Sequence, residues 1–461
     1  MSDQNVRLSG SMLDMSRTGQ LAAALTAPAL LTVFMITLIL PVSFEIASLR
    51  LTPLRVFLLV MFIPLLAQLF SGKAGKMMAV DILMMLYCLW MILSLMVTEG
   101  MDRFAFSGIS AVELMGGYLV GRCLVLNAKD FKQYVVLQLL LMLFLLPFSI
   151  LDTVADKQIW HQILNVFGDV GFRGDSSRPR FGLQRVMNGF EHPILFGLFC
   201  SMMAANVVYI WRANFVRAFG TLGFVGFMTF LSLSSGAVLS VMIQVACMIW
   251  DWVTRSKWKL LITLFVSAFV FLTFASNRGP VVIFIETLAF NKGTAWTRVL
   301  QWEYGSAEVL RNPVFGLGMT GDWERPAWLY TASIDNYWLV VAFRHGIPAF
   351  AMVAAAIFFG LRQVVKARGI FEHTADIRTG YLITFTGIIF TLATVHIWDA
   401  IAVLVYFYLG AGMWIASTNN EADNVSAEDP PQAQRGRRAT PASTYSRFPP
   451  KPSPNQNVTR R

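Results

Sequence analysis

The residue types suited to chemistry gather in one polar stretch of a very apolar chain. Between Ser276 and Tyr337 lie Arg278, Arg298, Arg311 and Arg325, the acids Glu303, Glu308, Asp322, Glu324 and Asp335, and Trp296, Trp302, Trp323 and Trp328. A guanidinium stays charged at any working pH and meets phosphate oxygens in a two-point fork. The apolar spacing of Val299, Leu300, Ala307 and Leu310 predicts a helix over 297–310, which puts Arg298 and Trp302 one turn apart on one face. The tryptophans fit stacking on sugar faces and fit an interfacial aromatic belt equally well. Pro313-x-x-Gly316-x-Gly318 then turns the chain tightly, and Asp335-Asn336-Tyr337-Trp338 leads into the next apolar segment. Asp335 sits where the polar stretch ends and the helix begins, and reads there as a helix cap or as a functional acid. Arg344 and His345 follow two to three turns into that segment, with Gly346 and Pro348 to break it, and ionisable groups so placed normally face a protein cavity.

A second cluster runs from Arg178 through Arg180, Arg185, Gly189, Glu191 and His192 to Pro193. It reads either as a kinked helix with Glu191 paired to an arginine, or as an anion site where Pro193 disturbs the helix ladder and frees a carbonyl. No Asp-x-Asp pair is present to hold a divalent cation, so these arginines are expected to act without metal or other cofactor.

The elements that position these groups must be membrane helices. Of 461 residues, 56% are hydrophobic and 14% charged, and the mean hydropathy of +0.58 is too high for a soluble domain. In lipid the backbone must bond to itself within each segment, and the ten-residue alternation of a barrel is missing. The fold class is therefore an all-α polytopic membrane protein. About twelve transmembrane helices are expected, near 22–41, 52–70, 79–97, 108–126, 134–152, 188–211, 216–234, 236–252, 258–276, 338–361, 380–397 and 399–416. They form a membrane domain over 21–416, after a polar N-terminus at 1–20 that shows no cleavable signal. A disordered, Pro-rich tail is expected over 417–461. Lys73, Lys76, Lys129, Lys132, Arg212, Arg217, Lys257, Lys259, Arg362 and Lys366 load one set of connections, whereas Arg50, Arg55 and Arg103 are the cations of the short opposite loops. The positive-inside bias then places both termini in the cytoplasm and the long loops 153–187 and 277–334 on the outer face, the larger between spans 9 and 10. Cys88, Cys123, Cys200 and Cys247 fall inside spans without metal-ligand spacing, and read as small packing residues.

In order and topology these motifs resemble the O-antigen ligase and polysaccharide polymerase (Wzy-type) superfamily. The resemblance rests on Arg298-x-x-x-Trp302, Pro313-x-x-Gly316-x-Gly318, the Asn336 pair ten residues before Gly346, Gly189-x-x-His192-Pro193, and the turn ending in Ser235-Gly236. Ligases of that family usually carry a histidine where this chain has Asp335, which favours the polymerase branch, and the family's turn usually has an arginine where this chain has Ser235. The resemblance implies transfer of a glycan from a polyprenyl-pyrophosphate donor to a sugar hydroxyl at the periplasmic face of a bacterial inner membrane. It implies catalytic roles for Asp335, Arg298 and Arg185. Arg178, His192, Arg278, Trp302, Arg311 and Asn336 would bind substrate. The partners implied are a polyprenyl-pyrophosphate-linked oligosaccharide, membrane lipid, and the flippase and chain-length or export proteins of the same pathway, with no nucleic acid. A ligase and a lipid-linked oligosaccharide transporter are the alternatives. Against the transporter stands the lack of internal repeats or of ionisable groups balanced between the two halves.

Overall fold

The computed structural model describes residues 27–417 apart from 47–48, 156, 171–178, 278, 289–291, 330–332 and 368–371. Long apolar runs become helices because a helix satisfies its own backbone in lipid. Among the described residues, nine helical segments are long and apolar enough to cross a membrane. Within or beside them are α2 (Pro53–Phe70), α3 (Ala79–Glu99), α4 (Phe104–Leu124), α5 (Ala128–Ala155), α10 (Ser235–Thr254), α11 (Trp258–Ala275), α14 (Tyr337–Lys366) and α16 (Asp399–Ala411). The sixth expected span is in two pieces, α7 (Pro193–Ser201) and α8 (Ala204–Ile210). Shorter apolar helices α1 (Ala27–Thr37) and α9 (Phe215–Leu231) join the bundle, as does the less apolar α15 (Glu372–Leu392). A two-stranded hairpin, β1 (Phe44–Ile46) with β2 (Leu49–Leu51), links α1 to α2. All four cysteines are free.

Helix alternation gives the bundle two ends. The α3–α4, α9–α10 and α15–α16 turns and the start of α14 lie at the end that we call upper. The segments between α5 and α7, and between α11 and α14, cap the upper end with short α6 (Ile159–Leu164), apolar α12 (Pro280–Leu288) and the polar α13 (Lys292–Arg311). The predicted helix over 297–310 is thus real and starts a turn earlier.

Close packing at the centre depends on missing side chains. A Cβ on Gly121 of α4 would lie 2.0 Å from the Phe407 carbonyl oxygen of α16, and one on Gly117 2.6 Å from that of Val403. Small residues four apart let helix backbones touch in lipid, where no hydrophobic force holds them.

α14 is broken, as its Gly and Pro predict. Gly346 takes φ +81° inside the helix, and Pro348 has no N–H to offer the Arg344 carbonyl. The Pro313–Gly318 stretch repairs the ladder. Leu317 N–H donates to Phe343 O at 2.8 Å, Gly318 N–H to Arg344 O at 3.0 Å, and Ile347 N–H to Pro313 O at 2.8 Å. Broken backbone at membrane depth is tolerated where protein supplies the lost partners, and this loop is that supply.

Candidate functional site

Arg180 and Arg185 are hung from the α9–α10 turn. Leu233 adopts a left-handed φ of 44°, which turns carbonyls toward the loop. Arg180 Nη1 donates to Leu233 O at 2.9 Å and Arg185 Nε to Ser232 O at 3.3 Å. Gln158 clamps the same strip, donating to Arg185 O at 2.9 Å and accepting from Met187 N at 3.3 Å. The serine-rich turn singled out in the sequence is therefore the bracket for two guanidiniums.

Arg298 arrives from α13 and is buried, 7% exposed. Its Nε has no hydrogen-bond partner among the described residues, and the charges that act on it are those of Asp335 and Arg180. Gln301, one turn further along the helix, fixes the opposing loop by donating to Ser333 O at 2.8 Å and accepting from Asp335 N at 3.0 Å. Asp335 is thereby held near Arg298 without the two closing into an ion pair. Burial lifts the Asp335 carboxyl above the ordinary aspartate range, and the nearby Arg298 charge pulls the other way. Burial lowers Arg298, as does Arg180, and Asp335 opposes them. Arg185 is pushed down to about 10 by burial and then by Arg180, still far above neutral pH.

His192 completes the group. Its Nδ1 accepts from Ile194 N at 3.1 Å and caps α7. Burial, then the charges of Arg185 and Arg180, lower its pKa to about 4, so it is a neutral acceptor at pH 7. Three arginines and one histidine thus share one field, with Asp335 across from Arg298.

Beside this cluster a groove of about 1220 Å³ opens between α11, α14 and α15. Trp302, Asn336 and Trp338 line its upper mouth, and Phe358, Arg362 and Val365 its far end. Between Trp338 and Val365 lies roughly 40 Å of helix at 1.5 Å per residue, longer than the ~30 Å hydrocarbon core of a bilayer. None of the α11 residues is buried, and the helix stands off far enough to leave this apolar slot.

Several expectations need correction. Asp335 is not the α14 cap: Asn336 is, its Oδ1 accepting from Leu339 N at 3.1 Å, which leaves the Asp335 carboxylate free of that duty. Pro193 does not kink a helix, because it is the first residue of α7, where its missing N–H would be unpaired anyway. Glu191 does pair with an arginine, Arg50 at 3.7 Å, from a different part of the chain. Arg311, itself exposed, is drawn away from the cluster into ion pairs with the buried Glu308, at 3.1 Å, and the exposed Glu324. Arg178 and Arg278 lie outside the described residues. The structure brings together Arg185, His192, Arg298 and Asp335, with Trp302 and Asn336 at the groove. Neither Arg180, a member of the second cluster, nor Gln301 is among the expected site residues. Arg180 shares the Arg-Pro-Arg triplet with Arg178, and spacing alone does not say which of the two turns inward. Gln301 is visible only as the neighbour of Arg298 on a shared helical face.

Residues 218–354 match the family described as O-antigen ligase (Wzy_C). That stretch includes most of α9, all of α10 to α13, the Pro313–Gly318 loop and the broken part of α14, with Arg298 and Asp335. No curated protein matches the chain. The chain is a membrane-integral, all-α protein carrying an O-antigen ligase family domain, which supports a role in O-antigen or polysaccharide assembly.

Proposed function

We propose that the chain is a polymerase of polyprenyl-pyrophosphate-linked oligosaccharide repeat units, for exopolysaccharide or O-antigen, acting at the periplasmic face of a bacterial inner membrane. The observation that carries this reading is a buried guanidinium, Arg298, with an unpartnered Nε beside an apolar slot of membrane length. A polyprenyl diphosphate has both halves of that shape: an anion for Arg298, Arg185 and Arg180, and a long hydrocarbon for the groove. In the reaction the acceptor sugar hydroxyl oxygen attacks the anomeric carbon of the donor. The anomeric C–O bond to the diphosphate breaks, and the arginines hold the charge that develops on the leaving group. The hydroxyl proton passes to Asp335, whose raised pKa brings it closer to the working range of a general base. Asp335, at the position where the resembling ligases carry histidine, favours polymerase over ligase.

The test is elongation by purified protein supplied with a lipid-linked repeat unit in EDTA. A ladder of longer lipid-linked chains is expected. Transfer to a lipid-core acceptor with no ladder would instead mark a ligase, and movement of the substrate across the bilayer without transfer a transporter.

A further inference from the structure

A second polar cavity, of about 210 Å³, lies between α3, α4, α14 and α16 and takes no part in the chemistry above. Its walls include Arg55, Tyr87, Glu113, Arg344, His396 and Asp399. On one side Arg55 Nε lies 2.5 Å from Glu113 Oε1, and its Nη2 lies 3.8 Å from Asp399 Oδ1. On the other side stands Arg344, whose guanidinium makes no ion pair or side-chain hydrogen bond among the described residues. The groups nearest to it electrostatically are Tyr87, Glu99, His345 and His396. The Nδ1 of His396 is likewise buried without a hydrogen-bond partner among the described residues. A lone guanidinium at membrane depth is unfavourable unless water or a ligand faces it.

The lining narrows the ligand. Glu113 and Asp399 would repel a phosphate dianion, whereas carboxylates and the phenols of Tyr87 and Tyr337 suit a molecule rich in hydroxyls. The guanidinium fork suits one carboxylate. The volume admits several waters or a single pyranose ring. Asp399, its side chain 42% exposed, forms the mouth at the upper end. Next to it Trp398 donates to Glu191 Oε2 at 3.1 Å and faces His192 at 6.0 Å, so the cavity lies one loop away from the diphosphate cluster.

We propose that this cavity is a subsite for one acidic sugar of the glycan, with Arg344 holding the uronate carboxylate and Asp399 and Glu113 receiving its hydroxyls. The proposal deepens the polymerase reading, and rests on it, by making the repeat unit anionic. It is tested by titrating full-length protein in lipid nanodiscs with methyl glucuronide, methyl glucoside and inorganic phosphate, followed by saturation-transfer NMR. Glucuronide should bind at least tenfold more tightly than glucoside, and phosphate should not displace it. Arg344→Gln should weaken glucuronide at least tenfold and leave glucoside unchanged. Asp399→Asn, at the exposed mouth where folding is least at risk, should weaken both sugars. Arg298→Lys should leave glucuronide binding intact, so that a failed polymerase and a failed subsite are told apart. Equal binding of the two methyl glycosides, no binding, displacement by phosphate, or wild-type glucuronide affinity in both cavity variants would overturn the proposal.

Discussion

Arg122 and Arg298 are both buried arginines of one bundle, and they have opposite surroundings. Arg122, at the lower end of α4, is fully enclosed and has a partner on each of its three nitrogens. Its Nε reaches Asp81 Oδ1 at 3.2 Å, its Nη2 donates to Lys76 O at 3.0 Å, and its Nη1 donates to Ala74 O. Asp81 is saturated in turn by Tyr118 and by Met78 N at 2.7 Å. Arg298 has a comparable degree of burial but leaves its Nε unbonded and meets its acid, Asp335, only at a distance. A buried charge with a partner on each nitrogen fastens structure. One with donors free is stable only if something else completes it. Residue type and burial do not separate the two; the state of the hydrogen bonds does.

That contrast can be broken at either end. Asp81→Ala strands Arg122 and should destabilise the protein by about 3–5 kcal/mol, the usual loss when one member of a buried pair is removed. Thermal unfolding in detergent would read this as a large drop in midpoint. An unchanged midpoint would mean that Arg122 does not fasten the lower end. Arg298→Lys should do the reverse, leaving the unfolding midpoint in place and slowing elongation by about 10²–10³-fold, since an ammonium lacks the fork. Asp335→Asn separates base from scaffold. The wild-type rate should rise with pH as the Asp335 carboxyl ionises, through a pKa above the ordinary aspartate range, because only the anion accepts a proton. The variant should lose that rising limb along with most of its rate, while Asn336 still caps α14. A pH profile identical to wild type would remove Asp335 from the chemistry. At the small end, Arg311→Ala should change elongation less than about twofold, because this exposed arginine is already taken up by Glu308 and Glu324. A large loss there would enlarge the site beyond Arg180, Arg185 and Arg298.

Much of this was legible in the sequence because membranes enforce simple rules. Gly346 with Pro348 and the Arg298-x-x-x-Trp302 face each have a local physical cause and appear where expected, and nine of the twelve expected spans are long apolar helices among the described residues. The cap of α14 was misplaced by one residue, since Asp335 and Asn336 are both good caps and only the backbone geometry chooses. Pro193 was misread because a proline at the first position of a helix and one inside it look alike until the helix start is known. The second cavity was passed over for a different reason. Glu113 and Asp399 sit within or at the start of predicted spans, and Arg55 was counted only as a loop cation. An acid near the middle of an apolar helix was the available signal.

By itself the sequence determined the solvent of this protein, the order of its helices and the loops that hold its cations, because hydropathy and helix-breaking act over a few residues. Only the tertiary structure decided which arginines are fastened and which are left open. Their partners come from far along the chain: Ser232 for Arg185 is 47 residues away, and Leu233 for Arg180 is 53. A hydrogen bond is satisfied by position in space, and no local pattern of residue types encodes that.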